Sequence, residues 1–231
     1  MFFIEYEKLH PDLKNREVEN FYKKLANKKL ELCLKRIFDI LVSVCLIFLL
    51  SPLILIIFIF IKLTSRGPAF YVQERVTTNK KIFKIIKFRT MVLDADKIGT
   101  LVTVDGDPRV TRIGKILRKL RLDEIPQLFN VLAGDMSFVG TRPEVLKYVE
   151  QYTDEMKATL LMPAGVTSLA SIKFKDEEHF LNDDMNPEDT EKTYVEKILP
   201  QKMKYNLKYL DDFNLRFDIK IMLRTLATVI K

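Results

Sequence analysis

The chain has 231 residues, 48% hydrophobic and 30% charged, with a formal charge of +7. Its only cysteines are Cys33 and Cys45, the second inside an apolar run, which excludes a disulfide framework and a Cys-based zinc site and suits a reducing compartment. The positive charge fits an anionic partner, whether nucleic acid, a phosphate-bearing substrate or the acidic inner leaflet of a membrane, and does not choose among them.

In chain order, residues 1–35 form a polar leader rich in Lys and Glu, with Val18, Phe21, Tyr22, Leu25, Leu30, Leu32 and Leu34 as an irregular helical stripe suited to a membrane surface. Between Asp39 and Lys62 come 22 residues without a charge, with Pro52 near the centre. That length suffices for a crossing, but Pro52 lacks an amide hydrogen and collides with the Phe48 carbonyl, so a kink is expected there. The Ser51 hydroxyl can satisfy part of the freed backbone. Each arm is about 15–18 Å long, roughly half a hydrocarbon core. Lys28, Lys29, Lys35 and Arg36 precede the run and Lys62 and Arg66 follow it, so flanking charge gives no preferred orientation. Two forms stay open: a re-entrant hairpin with both ends in the cytoplasm, and a proline-kinked transmembrane helix, the commoner form for such a run. A cleaved signal peptide is not expected, because a long charged stretch precedes the run and no small-residue cleavage site follows.

About 165 residues remain, enough for one soluble domain. Ser65-Arg66-Gly67-Pro68 reads as a turn, Ala69–Gln73 and Ile82–Phe88 as strands around a polar turn at Thr77–Lys80, and Gly99–Pro108 as a loop. Val110–Leu120 is an amphipathic helix with basic residues at 112, 115, 118 and 119. Met136–Val139 and Thr167–Ile172 are strand candidates, and Pro143 suits the first turn of a helix. The tail is mostly helical; Phe213–Ile230, with Arg216, Lys220 and Arg224 at four-residue spacing, fits a helix in the membrane interface and equally a packed core helix. His10 and His179 lie in polar surroundings, are read as surface residues and are assigned no metal. The expected fold class is α/β (α+β): a small, mostly helical domain with short strands, attached to the apolar helix and to interfacial amphipathic helices.

The densest chemistry lies between Arg118 and Arg142. Asp123 and Pro126 mark the start of a helix, and an Asp N-cap followed by a first-turn Glu can simply complement the helix dipole. Beside Arg118 and Arg121, the same carboxylate would meet a phosphate next to the groups that bind it. Adjacent helical residues diverge by roughly 100°, so Asp123 and Glu124 take separate roles. Gly140-Thr141-Arg142-Pro143 sets another arginine before an expected helix start.

These segments belong to a longer series: Lys35-Arg36-Ile-Phe-Asp39, Ser51-Pro52, Gly67-Pro68-Ala-Phe-Tyr-Val-Gln73-Glu-Arg75, Lys87-Phe88-Arg89-Thr90-Met91, Asp107-Pro-Arg109 through Gly114-Lys, Leu122-Asp123-Glu124-Ile-Pro126-Gln127-Leu-Phe-Asn130, Gly134-Asp-Met-Ser-Phe-Val-Gly140 and Arg142-Pro143-Glu144. Over nearly all of residues 35–231 the series resembles a monotopic phosphoglycosyl transferase of the bacterial sugar transferase family. The resemblance implies transfer of a phosphosugar from a UDP-sugar to a polyprenol phosphate such as undecaprenyl phosphate, with release of UMP and through an aspartyl-phosphosugar. It implies Asp123 as nucleophile and Mg2+ ligand, Glu124 as its acidic partner, and Lys87, Arg118 and Arg142 as cations on phosphate groups. Arg75 and Arg89 are weaker additions to that set, since Lys87 and Arg89 can also form ion pairs at a strand edge. It further implies a helix broken at Ser51-Pro52 that favours the re-entrant form and a catalytic domain on the cytoplasmic face of the bacterial cytoplasmic membrane against its inner leaflet; a homo-oligomer stays open. No nucleic-acid partner is expected, because no aromatic residues are interleaved with the cations of 110–120 and no recognition motif appears. A membrane-bound glycosyltransferase that releases UDP and a non-enzymatic membrane-tethered binding module are the alternatives. The chain departs from the family pattern at Thr77 and Lys80, where glycines are common, at Thr141, where proline is usual, and over Ala164–Ile172, which lacks the usual Trp and Gln.

Overall fold

The computed structural model describes residues 3–95, 107–174 and 187–230. His179 and the part of the expected loop from Gly99 to Gly106 lie outside them.

The apolar run forms the middle of a 36-residue helix, α2 (Lys29–Thr64), long and apolar enough to cross a membrane. The helix continues through Pro52. The Phe48 carbonyl, which Pro52 cannot serve, accepts a hydrogen bond from Ser51 Oγ at 2.8 Å. The polar contacts with the rest of the protein and the fully buried residues lie toward the two ends of α2; no residue from Val44 to Ile56 is buried, although Leu46, Ile47, Leu50, Leu53 and Ile54 pack partly against the apolar clusters. On the N-terminal arm, Lys35 Nζ pairs with Asp218 Oδ2 at 2.5 Å, and Tyr209 donates to Asp218 Oδ1 at 2.8 Å. The Phe138 amide donates to Asp39 Oδ1 at 3.2 Å. Arg36 donates to the carbonyls of Val131 and Leu132 at 2.6 and 2.8 Å, a cation at a helix C-terminus where the dipole favours it. On the C-terminal arm, Ile57 and Ile61 join Ala69, Phe88 and Leu117 in a small apolar cluster.

The strands expected on either side of the polar turn form an antiparallel hairpin, β1 (Phe70–Val76) and β2 (Ile82–Phe88), in register from Phe70 opposite Phe88 to Val76 opposite Ile82. The turn places Asn79 and Lys80 at φ 58° and 60°, a left-handed conformation for two residues that are not glycine. The leader holds it there: the His10 amide donates to Asn79 Oδ1 at 2.6 Å and Asp12 pairs with Lys80. The stripe of the leader helix α1 (Arg16–Ala26), read as suited to a membrane surface, faces the protein instead, with Val18, Phe21 and Leu25 inside the main core.

The amphipathic segment forms α3 (Arg112–Lys119), and α4 (Gln127–Ala133) follows. Asn130 fastens α4 to the open edge of β2, accepting from the Ile86 amide at 3.0 Å and donating to the Lys84 carbonyl at 2.8 Å. Next come β3 (Met136–Val139), α5 (Leu146–Val149) and β4 (Ala164–Thr167), which pairs parallel to β3. Two expectations are corrected here. Pro143 does not begin a helix: the Glu144 carbonyl accepts from the Val76 amide at 2.9 Å and Val145 is extended at ψ 154°, so α5 starts only at Leu146. The strand assigned to Thr167–Ile172 lies earlier, at Ala164–Thr167, because the Ser168 hydroxyl accepts from the Ser171 amide at 2.8 Å and caps α6 (Leu169–Lys173). The tail contains α7 (Pro187–Thr193), a π-helical turn (Tyr194–Ile198), α8 (Leu199–Asp212) and α9 (Leu215–Ile230). One face of α9 buries Ile221, while Ile219, Leu223 and Leu226 are exposed, so the last helix is half core and half apolar surface.

Two substitutions test these fastenings. Asp218→Ala leaves Lys35 buried without its counter-charge and is expected to destabilise by about 3–5 kcal/mol, whereas the double change Lys35→Met with Asp218→Leu loses far less. Asn130→Ala strips a donor and an acceptor from the edge of β2 and is expected to cost about 1–3 kcal/mol. Thermal unfolding of the detergent-solubilised protein measures both.

Candidate active site

Asp123 and Glu124 sit in a single 3-10 turn (Leu122–Glu124) entered through Arg121, whose φ of 55° is left-handed. The helix beyond begins later than expected, at Gln127, with Pro126 at its N-cap, so Asp123 does not cap it. Asp123 is 8% exposed, and its Oδ1 has no hydrogen-bond partner. Burial raises the Asp123 carboxyl above the ordinary range, and the neighbouring Glu124 adds to the effect against Lys87, Arg118 and Arg121.

Glu124 is held in the opposite state. Its Oε1 accepts from Arg142 Nη2 at 2.7 Å and lies 3.6 Å from Lys87 Nζ and 4.0 Å from Arg121 Nη1. Burial opposes ionisation, but Arg142 and then Lys87 outweigh it and keep the Glu124 carboxyl well below the usual carboxylate range. Lys87 is itself pushed down to about 8 by burial and by Arg142. Two adjacent carboxyls therefore have opposed properties: one locked as an anion among cations, the other buried, raised and with an open oxygen. Pairs pushed apart in this way are a signature of divided chemical roles.

Three segments bring the groups together. Lys87 leaves β2 one residue after Ile86, which Asn130 binds, so the clamp on α4 also sets the 122–124 turn against Lys87. Arg142 follows β3, where two glycines let backbones meet: the Gly165 amide donates to the Thr141 carbonyl at 2.8 Å, and a Cβ on Gly165 would lie 2.2 Å from the Gly140 nitrogen. Arg75 steadies the same loop, donating to the Pro143 carbonyl at 3.3 Å and to Gln73 Oε1 at 2.6 Å from Nη2, with Glu144 3.8 Å away. Arg118 lies on α3, where its charge acts on both Asp123 and Asp107. Arg89 is placed apart from this group. It is 5% exposed at the end of α2, where its Nη2 donates to the Ser65 carbonyl at 3.1 Å and also binds the Ser65 hydroxyl.

Sequence reasoning assigned no role to Asn130, Glu144, Tyr194 or Lys202. Tyr194 donates to Glu144 Oε1 at 2.6 Å and accepts from Lys202 Nζ at 3.1 Å, tying the 142–144 loop to the C-terminal helices. Asn130 and Glu144 stand inside the motifs quoted above and could have been singled out. Tyr194 and Lys202 lie far along the chain with no local pattern to mark them.

The pattern that describes bacterial sugar transferases matches residues 30–231. Over 173 residues the chain is 35% identical to a UDP-N-acetylgalactosamine-undecaprenyl-phosphate N-acetylgalactosaminephosphotransferase of Aeromonas hydrophila, covering 74% of this chain and 37% of that protein. Over 169 residues it is 37% identical to the UDP-glucose:undecaprenyl-phosphate glucose-1-phosphate transferase of Escherichia coli K12, covering 71% and 33%. Over 118 residues it is 41% identical to an undecaprenyl-phosphate galactose phosphotransferase of Salmonella typhimurium, covering 45% and 25%. These three relatives are named for three different sugars, so similarity of this degree does not select one. The chain spans about a third of the length of the first two of these curated relatives. Residues 30–231, and with them Asp123, Glu124, Lys87 and Arg142, belong to the bacterial sugar transferase family.

Proposed function

We propose that this chain transfers a phosphosugar from a UDP-sugar to a polyprenol phosphate of the undecaprenyl type, releasing UMP, as the first membrane step of glycan assembly. The observation that carries the reading is the divided pair: Glu124 is engaged by Arg142, and Asp123 keeps a buried oxygen without a partner beside Lys87 and Arg118. The names of the relatives point the same way.

In the first step an Asp123 carboxylate oxygen attacks the sugar-bearing phosphorus, forming an aspartyl O–P bond as the bond to UMP breaks. In the second, an oxygen of the lipid phosphate attacks the same phosphorus, forming the diphosphate and returning Asp123 as a carboxylate. Lys87, Arg118 and Arg142 offset the charge of the phosphate groups in both steps. Glu124, locked as an anion, holds Lys87 and Arg142 in place and leaves the attack to Asp123. Arg75 acts through the 142–144 loop. We assign Arg89 to holding the end of α2, which its Ser65 contacts support.

Among the described residues no group of three or more His, Cys, Asp or Glu could hold a metal by itself. Mg2+ is commonly bound through one or two carboxylates together with substrate phosphates, and the unpartnered Asp123 oxygen fits that pattern. When bound there, Mg2+ would offset charge on the donor diphosphate.

We place the catalytic domain on the cytoplasmic face of the bacterial cytoplasmic membrane, with α2 dipping into the inner leaflet and returning at Pro52. Support comes from the short path between its arms. Arg36 binds the Val131 carbonyl, the adjacent Asn130 binds Ile86, and two residues further Phe88 shares a cluster with Ile61. A straight helix would hold residues 36 and 61 roughly 38 Å apart, which this chain of contacts spans only if fully extended. A bent helix joins them with ease.

The test is nucleotide release by the detergent-solubilised protein given Mg2+, undecaprenyl phosphate and a panel of UDP-sugars. Acceptor-dependent UMP from at least one donor is expected, reduced on the order of 10³-fold or more in Asp123→Asn. Release of UDP would instead identify a glycosyltransferase, and full activity in Asp123→Asn would remove the covalent route.

A further inference from the structure

Residues 122–133 are helical almost throughout, with Ile125 and Pro126 in right-handed helical conformation between the 3-10 turn and α4. Asp123, Gln127 and Asn130, spaced four and three apart, therefore share one face. That face meets β2: Asn130 binds Ile86 and Lys84 at one end, and Asp123 feels the charge of Lys87 at the other. Gln127 lies between them. It is 1% exposed, and its Nε2 has no hydrogen-bond partner, just as Asp123 Oδ1 has none.

A buried amide donor without an acceptor destabilises the folded protein, and an apolar side chain of the same length would avoid that loss. Packing alone therefore does not account for a glutamine here. A neutral donor is also the type of group that can stand beside a nucleophilic carboxylate without disabling it. A lysine or arginine at this place would pair with Asp123 and lock it, as Arg142 locks Glu124.

We propose that Gln127 Nε2 donates a hydrogen bond to a non-bridging oxygen of the phosphoryl group under transfer at Asp123. The inference rests on the reaction proposed above and adds to it a neutral donor aimed at the reacting phosphorus. No bond to Gln127 is made or broken. As the aspartyl O–P bond forms and the bond to UMP breaks, charge on the phosphoryl oxygens meets a donor already in place, the arrangement that favours a transition state over a bound substrate.

Gln127→Met in the full chain separates this role from packing. Removing an unsatisfied buried donor is expected to leave the thermal midpoint unchanged or raised, while kcat for UMP release falls at least about 10-fold and KM for the UDP-sugar stays within about 3-fold. Gln127→Glu, equal in shape but presenting acceptors, is expected to lose at least as much. A Met variant with kcat within about 2-fold of the parent, or one that loses stability and activity together while Gln127→Glu stays active, overturns the assignment. Absence of UMP from the parent protein with every donor overturns the reaction and this role together, whereas UMP from the parent with an unimpaired Met variant overturns the role alone.

Discussion

The contact between Arg142 and Glu124, at 2.7 Å, is the interaction on which the rest of the site depends. It joins the loop after β3 to the turn before α4, and Lys87, 3.6 Å from the same oxygen, brings in β2. Three segments remote in sequence are thus drawn to one carboxylate. Taking these charges out of water is unfavourable, and the cluster holds because each member is compensated by the others. Its chemical consequence is a division of labour: with Glu124 supplying the negative charge that the cations need, Asp123 is left without a partner on Oδ1.

The mechanical supports of this cluster come from elements that carry no charge chemistry. The Asn130 clamp fixes the turn against β2, the Gly140 and Gly165 backbones let the Arg142 loop come close, and the Glu144–Tyr194 contact ties that loop to the tail. The leader contributes at a distance. Residues before 30 fall outside the family match, yet Val18 and Leu25 lie in the main core, and His10 and Asp12 hold the left-handed Asn79 and Lys80. A turn built without glycine is stabilised here by contacts from another part of the chain, and the same turn joins the strands that carry Arg75 and Lys87.

Much of this was legible in the sequence, for identifiable reasons. The hairpin, α3, β3 and the apolar helix have strong periodic or compositional patterns, and the Ser51 hydroxyl takes the Phe48 carbonyl as the Ser-Pro pair suggests. The errors arose where a side chain competed with a pattern. Thr167–Ile172 is a strand candidate, but the Ser168 cap diverts it into a helix. Asp123 looks like an N-cap, yet the left-handed Arg121 turns it inward. The stripe in the leader is amphipathic, and amphipathicity alone does not say whether protein or lipid covers the apolar face. The sequence brought Lys87, Glu124 and Arg142 into one group through their motifs, whereas Tyr194 and Lys202 required the fold.

The buried Lys35–Asp218 pair has a consequence for how the apolar helix is mounted on the domain. It joins the base of α2 to the last helix, and Arg36 and Asp39 add further links to the centre of the domain. The apolar helix is therefore mounted as a rigid post and not hung on a flexible tether. In the proposed setting, the height of Asp123 above the lipid headgroups is a constant of the fold, and a lipid phosphate must reach that height to react.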